Sequence, residues 1–250
     1  MLGSLLQLTL SALLPLRWAA VPALVLLFNA AITTVFQCLN SSGNHFMARV
    51  VSGRATAQFP SEVGTYGPEP SQGSLVVFNL GIQFNHPLGV MAPGVKEINN
   101  AFLAMSVDMM KRKDELGLIS VSHWRANERE SNNSMLISYY FKDAEKIQQF
   151  ANEELHLGAR NAYYARRPEH VGIYHETFVV KDGGYESLYG NCHPVLMGRG
   201  QVMVNPKEGE KQWMSTLVSA DTPALKSYNA RLGHNLANSS RDATPAYGAV

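Results

Sequence analysis

The sequence predicts an α+β fold, in which a ferredoxin-like β-α-β-β-α-β unit follows an N-terminal hydrophobic membrane helix. Two observations lead to this prediction. From residue 74 onward, segments with apolar residues at every second position alternate with segments in which they recur every three to four positions, in the order of a split βαβ unit. From Leu2 to Ala48 the only formally charged residue is Arg17, which is typical of a segment that lies in lipid.

The N-terminal segment, residues 1–50, is interpreted as a membrane anchor. Its apolar run from Ala19 to Phe36 approaches the ~20 residues that cross a bilayer. Pro15 and Pro22 can divide the segment, which allows a hairpin as well as a single span. A cleaved signal peptide is the alternative, but this segment is longer than the apolar region of a signal peptide and has no basic residues at its start. We therefore expect a retained anchor in an endomembrane.

The sequence predicts a linker at residues 51–73. The first strand and the first helix of the domain follow within residues 74–117. The linker is rich in Gly, Pro and Ser and has no period. Alternating apolar residues from Ser74 to Phe84 indicate a half-buried strand. The helix starts near Pro93 and stops at Gly117, and its apolar positions recur at helical spacing: Val95, Ile98, Phe102, Met105 and Met109.

In the second half of the domain, up to residue 198, the sequence predicts three strands, a helix and an added strand. "LISVSHWR" and "SMLISYYF" are strands around a polar turn, and a helix with Asp143 as N-cap follows, directing Ile147, Phe150, Ala151 and Leu155 inward. "HVGIYHETFVV" and "YESLYGN" are expected to form a hairpin around "KDGG". Residues 199–250 are interpreted as an extension with a short helix, partly disordered toward the end.

The predicted sheet has helices on one face, which leaves its other face without cover. Such a unit usually closes the uncovered face against a second copy. We expect Phe78, Ile82 and Ile173 to lie on that face, and therefore expect a homodimer packed sheet to sheet.

Composition and motifs exclude several partners. The net charge of +1 gives no overall attraction to nucleic acid. Cys38 and Cys192 lie far apart and offer neither a disulfide framework nor zinc spacing. No Gly-rich phosphate loop, G-x-S-x-G, C-x-x-C or H-E-x-x-H motif is present. We therefore predict no nucleotide, flavin or zinc cofactor, and haem is the cofactor that remains open.

The segment "HLGARNAYYARRPEHVGIYHETFVVKDGGYESLYGNCHP" resembles the signature of an uncharacterised domain family of bacteria and fungal secondary-metabolite gene clusters. The matching positions follow the order of that signature: His156, Gly172, Ile173, Tyr174, His175, Glu176, Thr177, Phe178, Tyr185, Glu186, Tyr189, Asn191 and Pro194. The resemblance covers roughly residues 72–198 and implies a dimeric α+β barrel beside the antibiotic-biosynthesis monooxygenases. Tyr174 replaces the family's Trp, and Ala159 stands where an aromatic residue is common.

Three residues are the candidate catalytic groups: His175, His156 and Glu176. Period two places His175 on the apolar face of its strand and Glu176 on the other, so the two cannot form one dyad. His175 is either an acid/base or orienting group in a cavity, or a core histidine bonded across the sheet. Glu176 is expected to bond a helix end or one of Arg160, Arg166 and Arg167.

His156 is expected near the C-terminal end of the second helix, where the dipole favours an imidazolium and where it can approach a haem or a substrate. Aromatic and amide side chains are the candidate substrate-binding residues: Trp124, Tyr174, Tyr185, Tyr189 and Asn191.

The sequence therefore predicts a membrane-tethered, monooxygenase-like enzyme that acts on a hydrophobic polyketide or terpenoid intermediate in secondary metabolism. The alternatives are a cofactor-free cyclase or isomerase that only moves protons, and a non-catalytic small-molecule binding or accessory protein of the same fold.

Overall fold

The computed structural model of the chain describes residues 2–40, 43–71, 73–127, 133–166, 168–181 and 183–233. The chain divides into two compact units, Met1–Val50 and Val51–Val250.

The first unit is helical: α1 (Leu2–Leu13), α2 (Leu16–Ala19) and α3 (Val21–Leu39). Pro15 caps α2 and Pro22 lies in the first turn of α3, where a missing N–H breaks no helical hydrogen bond. The apolar stretch Leu16–Leu39 is 24 residues long, and its most apolar 18-residue window has a mean hydropathy of 2.0 and is 6% buried. By length and composition this helix can cross a membrane, a test that signal sequences also pass.

The second unit is built on a four-stranded antiparallel sheet. Its strands are β2 (Leu75–Phe84), β3 (Leu118–Ala126), β4 (Ser134–Phe141) and β5 (Val171–Val180), in the order β3-β4-β2-β5. Its helices are α4 (Val95–Lys111), α5 (Ala144–Ala151) and α6 (Glu154–Arg166). The α+β class is confirmed, and this strand order is that of a ferredoxin-like sheet.

The predicted second helix is two helices in the structure. Asp143 caps the first of them as expected, since its side chain accepts a hydrogen bond from the Lys146 N–H at 2.9 Å. The chain then breaks at Asn152 and Glu153, and α6 begins at Glu154.

One face of the sheet, here called the helix face, packs against the helices. Val76, Phe78 and Leu80 of β2 pack with Met105, Met109 and Phe150 of α4 and α5. Ile82 packs with Val95 and Ile98 of α4, and Ile173 is its cross-strand neighbour. The prediction that Phe78, Ile82 and Ile173 lie on the uncovered face was therefore wrong, because the helices cover the face on which these three side chains lie.

The other face, here called the outer face, is covered at one end by strands from outside the predicted domain. Leu75, Ile119 and Tyr140 pack there in a cluster with buried residues from those strands and the turn before them: Ala57, Met197, Val202 and Val204. The strands are β1 (Val51–Ala57), β6 (Tyr189–Cys192), β7 (Gln201–Lys207), β8 (Glu210–Ser215) and β9 (Leu217–Ser219). Contacts within the chain therefore cover part of the surface that was expected to contact a second copy of the protein.

These strands correct three sequence-based assignments. Residues 51–57, predicted as linker, form the central strand of a β6-β1-β9 sheet. Residues 189–192 pair with β1, so the expected hairpin with β5 is wrong. Residues 201–219, predicted as an extension, form a β7-β8 hairpin and β9, and the short helix is α7 (Tyr228–Arg231). The expected disorder of the last dozen residues lies outside the described residues.

Candidate functional site

His175 lies on the helix face, in the middle of strand β5. It pairs across the sheet with Leu80 in an unbroken register that runs from Val171 to Val180. Its side chain is exposed, and its ring centroid lies 5.6 Å from that of Phe78. His175 is therefore not the buried core histidine that the sequence allowed as an alternative. An exposed imidazole is available to a ligand.

Glu176 lies on the outer face, opposite Asn79, and is exposed. Because the register has no bulge here, His175 and Glu176 point to opposite sides of the sheet, as the period-two pattern predicted. The expected ion pair was wrong for Arg160 and Arg166, since the helices lie on the other face and Arg166 faces Glu97 at 4.0 Å. Arg167 lies outside the described residues.

His156 lies in the first turns of α6, not at the end of a helix as predicted, because the helix is broken before it. Its Nδ1 donates to the carbonyl of Ala151, the last residue of α5, at 2.8 Å, and its ring lies 6.0 Å from Phe150. The imidazole therefore caps the C-terminal end of α5. The structure does not bring His156, His175 and Glu176 together.

Tyr185 and Tyr189 hold the outer-face strands together. The Tyr185 hydroxyl lies 3.2 Å from Ser71 Oγ, and the Tyr189 hydroxyl accepts a hydrogen bond from the Gly198 N–H at 2.9 Å. Burial raises the pKa of both phenols, and it raises the pKa of the neighbouring Tyr140 to about 12. All three phenols are thus neutral at physiological pH.

Asn191 and Glu186 also make contacts within the fold. Asn191 has a φ of 47°, and its side-chain oxygen accepts from the Gly53 N–H at 2.8 Å. Glu186 forms a largely buried ion pair with Arg231 of α7. Binding of substrate by Tyr185, Tyr189 or Asn191 remains a prediction.

Tyr174 and Trp124 occupy the two ends of one cross-strand row on the outer face, with Gly81 and Leu136 between them. The Tyr174 ring lies directly over Gly81, where an added Cβ would be 2.0 Å from its Cζ. The side chains of Tyr174 and Trp124 are 38% and 40% exposed, respectively. They form an aromatic surface on the side of the sheet opposite His175.

A cleft of about 550 Å³ opens between α4 and α6 on the helix-face side. It is lined by Ala101 of α4 and by four residues of α6: Glu154, Leu155, Gly158 and Ala159. Ion pairs join the two helices at both ends of the cleft, since Arg112 reaches Glu153 at 2.5 and 2.7 Å and Arg166 lies 4.0 Å from Glu97. The helices are therefore antiparallel, with a close ion pair at one end and a long, exposed one at the other.

His175 is not among the residues that line this cleft, but His175 and Leu155 lie at similar distances along their elements from one shared contact. Tyr163 of α6 donates to the Val171 carbonyl at 2.7 Å, which aligns the end of the helix with the start of β5. Leu155 lies two turns earlier, about 12 Å along the helix, and His175 lies about 13 Å along the strand. Ala159 indicated the cleft in the sequence, because it is small at a position where the resembled family commonly has an aromatic residue. No sequence feature indicated Ala101 of α4, on the other side of the cleft.

A second, smaller cleft of about 270 Å³ lies at the end of β2. Its polar lining includes Gln83, Asn85, His86 and Asn133, and the rings of His86 and His170 are 5.4 Å apart. Among the described residues, no three His, Cys, Asp or Glu side chains are grouped so that they could hold a metal ion.

The chain is similar to oxygenases in its sequence. Residues 75–197 match the family model described as Monooxygenase af470-like. The chain is 57% identical over 235 residues to the protein named Monooxygenase af470 from Aspergillus fumigatus, covering 94% of this chain and 86% of that protein.

The chain is also similar to two solved structures, and each match covers less than half of it. One is SnoaB, a cofactor-independent oxygenase from Streptomyces nogalater, at 14% identity and a TM-score of 0.30, covering 44% of this chain and 95% of that one. The other is a dimeric ferredoxin-like protein from an uncultured marine organism, at 14% identity and a TM-score of 0.33, covering 43% and 95%.

Proposed function

The chain belongs to the monooxygenase af470-like family, and on this premise we propose that it is a membrane-tethered monooxygenase acting on a hydrophobic polyketide or terpenoid intermediate. The observation that carries the proposal is the 57% identity over 94% of the chain to a protein named as a monooxygenase. The apolar helix Leu16–Leu39 supports the tether, because it would hold the enzyme where hydrophobic substrates accumulate.

The proposed active site is the cleft between α4 and α6, with His175 at its sheet side. The imidazole acts as the general base and removes a proton from a carbon next to a carbonyl of the substrate. The resulting carbanion passes one electron to O₂, and the radical pair combines to a peroxide. Loss of water from the peroxide converts the CH₂ group to a ketone. The substrate supplies all the electrons in this sequence, so it requires no cofactor.

The test compares product formation by the full-length protein, by His175→Gln and by Glu176→Gln under ¹⁸O₂. Hydrophobic polyketides and terpenoids that carry an enolisable carbonyl serve as substrates, with and without a chelator. We expect ¹⁸O in the product of the wild-type protein and a rate lower by about 10²–10⁴-fold for His175→Gln. Glu176→Gln is the matched control, because this neighbour lies on the opposite face and should keep the rate.

Four results would contradict the proposal. Turnover at the same rate without oxygen would indicate a cyclase or isomerase. Binding without turnover would indicate an accessory protein. A fully active His175→Gln variant would remove the histidine from the mechanism, and sensitivity to the chelator would contradict the absence of a metal.

A homodimer formed through the outer face belongs to the same proposal. Half-exposed aromatic side chains support it, since Phe178, Trp124 and Tyr174 are 50%, 40% and 38% exposed on this face. An exposed aromatic surface of this kind is typical of a contact between proteins. The covered end of the outer face restricts the contact to the part that carries Tyr174 and Trp124, with Phe178 at its boundary beside Val77.

A further inference from the structure

Gly158 has no structural reason within the protein to be a glycine. It lies in the interior of α6, where glycine is the poorest helix former apart from proline. An added Cβ would meet no atom within 4 Å. Gly81 is a useful contrast, because there the Tyr174 ring fills the space that a side chain would need. The space above Gly158 is open and lies inside the cleft.

The residues around this space make a surface suited to a bulky, rigid, apolar group. Gly158 and Ala159 on α6 and Ala101 on α4 have little or no side chain, so a ligand can approach both helix backbones closely. Leu155 adds an apolar side chain that is 41% exposed. A volume of about 550 Å³ lies within the range of small-molecule sites.

Glu154 supplies the polar end of the same cleft. Among the described residues, none donates a hydrogen bond to its carboxylate or pairs with it. A carboxylate accepts hydrogen bonds strongly and repels anions. Because the proposed polyketide or terpenoid substrates are uncharged, the group on them that it would bind is a hydroxyl. The hydroxyl and the apolar skeleton can belong to one molecule because Glu154 lies one turn before Gly158.

We propose that this cleft selects substrates with a bulky polycyclic or caged apolar skeleton that rests on Gly158 and Ala159 and carries a hydroxyl that donates to Glu154. The inference rests on the proposed function, in that it assigns a substrate class to the same cleft. Ala159 sets the depth of the site, since an aromatic residue at this position would occupy the space above Gly158.

The test is photolabelling of the full-length protein in lipid nanodiscs with adamantyl diazirine, a compact caged hydrocarbon. Trypsin releases residues 97–111 and 147–160 as separate peptides, which mass spectrometry can quantify. We expect label on both peptides, reduced at least about tenfold in Gly158→Leu and in Ala159→Phe, whose side chains would occupy the open space above Gly158 that we assign to the ligand. Ala104→Leu is the matched control, because Ala104 is exposed on α4 and does not line the cleft.

The hydroxyl is tested by competition with 1-adamantanol. Glu154→Gln should weaken this competition by about tenfold, because a hydrogen bond to a charged acceptor is stronger than one to an amide. Labelling by adamantyl diazirine itself should not change in Glu154→Gln, since the probe has no hydroxyl. Equal competition in both proteins would overturn the role of Glu154.

Equal labelling of wild type and both cleft variants, or label absent from the two peptides, would overturn the inference. Failure of the proposed function gives a different pattern. In that case no oxygenated product would form, while the labelling and its loss in Gly158→Leu would be unaffected. His175→Gln should keep the labelling even where it abolishes turnover, which separates binding from chemistry.

Discussion

Neighbouring residues of the signature segment serve different parts of the molecule. His175 lies on the helix face, while Tyr174 and Glu176 lie on the outer face. This separation follows from the strand geometry, which sends successive side chains to opposite sides. Tyr189 and Asn191, farther along, hold the strands that cover the outer face. A substitution in this segment can therefore change chemistry, assembly or stability, according to its position.

Asn191 gives a prediction about stability at the scale of a single residue. Asn191→Ala should lower the free energy of unfolding by about 2 kcal/mol, because it removes the bond to the Gly53 N–H and places alanine in a left-handed conformation. Asn191→Gly loses only the bond and should cost about 1 kcal/mol less. Urea denaturation followed by tryptophan fluorescence measures both values. Equal losses for the two variants would show that backbone strain plays no part.

Strand β1 shows how one element joins segments that are distant in sequence. It pairs with β6 on one side and β9 on the other, and Ala55, Thr56 and Ala57 are buried. Arg54 adds a surface ion pair to Asp221 at 3.2 Å. The strand therefore contributes to the cover at one end of the outer face. An isolated domain of residues 74–198 would lack this cover.

Removal of β1 provides the test of this role. A variant that begins at Gly73 should expose the cluster around Leu75 and Met197 and unfold at a clearly lower urea concentration than one that begins at Gly43. The longer variant is the matched control, since it lacks the same apolar helices but keeps β1. Hydrogen exchange should show residues 189–192 unprotected only in the shorter variant. Identical midpoints and protection would mean that β1 adds nothing to stability.

At the scale of the whole molecule, the chain combines an apolar helical unit with an α+β unit. The helix Leu16–Leu39 has the length and composition to cross a bilayer. The α+β unit leaves part of its outer face exposed, with half-exposed aromatic residues on the two edge strands, β3 and β5. These two surfaces are the basis for proposing attachment to a membrane and assembly into a dimer.

The membrane attachment can be tested by extraction. The full-length protein should remain in the membrane pellet after a carbonate wash at high pH, because a spanning helix is held by the hydrophobic effect rather than by charge. Replacing Leu26 and Phe28 together with lysines should release the protein, since each charge at a helix centre costs roughly 2.5–3.5 kcal/mol. Soluble wild-type protein, or a mature N-terminus near Ser41, would contradict a retained anchor.

The dimer can be tested by light scattering on the full-length protein in nanodiscs or detergent. Phe178→Lys should convert a dimer to a monomer, because a charge would be buried in the apolar contact. Val107→Lys is the control, since Val107 is similarly exposed at 45% but lies on α4, away from the outer face. A wild-type protein that is monomeric at micromolar concentration would count against the outer-face dimer.

The sequence by itself determined features that depend on neighbours within one element. Period-two and helical spacing located the four strands of the sheet, the helix α4 and the opposite directions of His175 and Glu176, because these periods follow from backbone geometry alone. Asp143 was recognised as a cap for the same local reason. The apolar N-terminal helix followed from composition.

Only the tertiary structure decided which elements meet. Residues 189–192 carry a strand pattern, but whether they pair with β5 or β1 depends on contacts more than 130 positions apart in the chain, such as Asn191 with Gly53. Phe78 and Ile82 were assigned to one face correctly, yet the side that the helices cover is a property of the packed domain. The cleft above Gly158 likewise depends on α4 and α6 lying side by side, an arrangement of segments that are distant in the chain. Periodicity determines the faces of an element, and long-range packing decides what each face contacts.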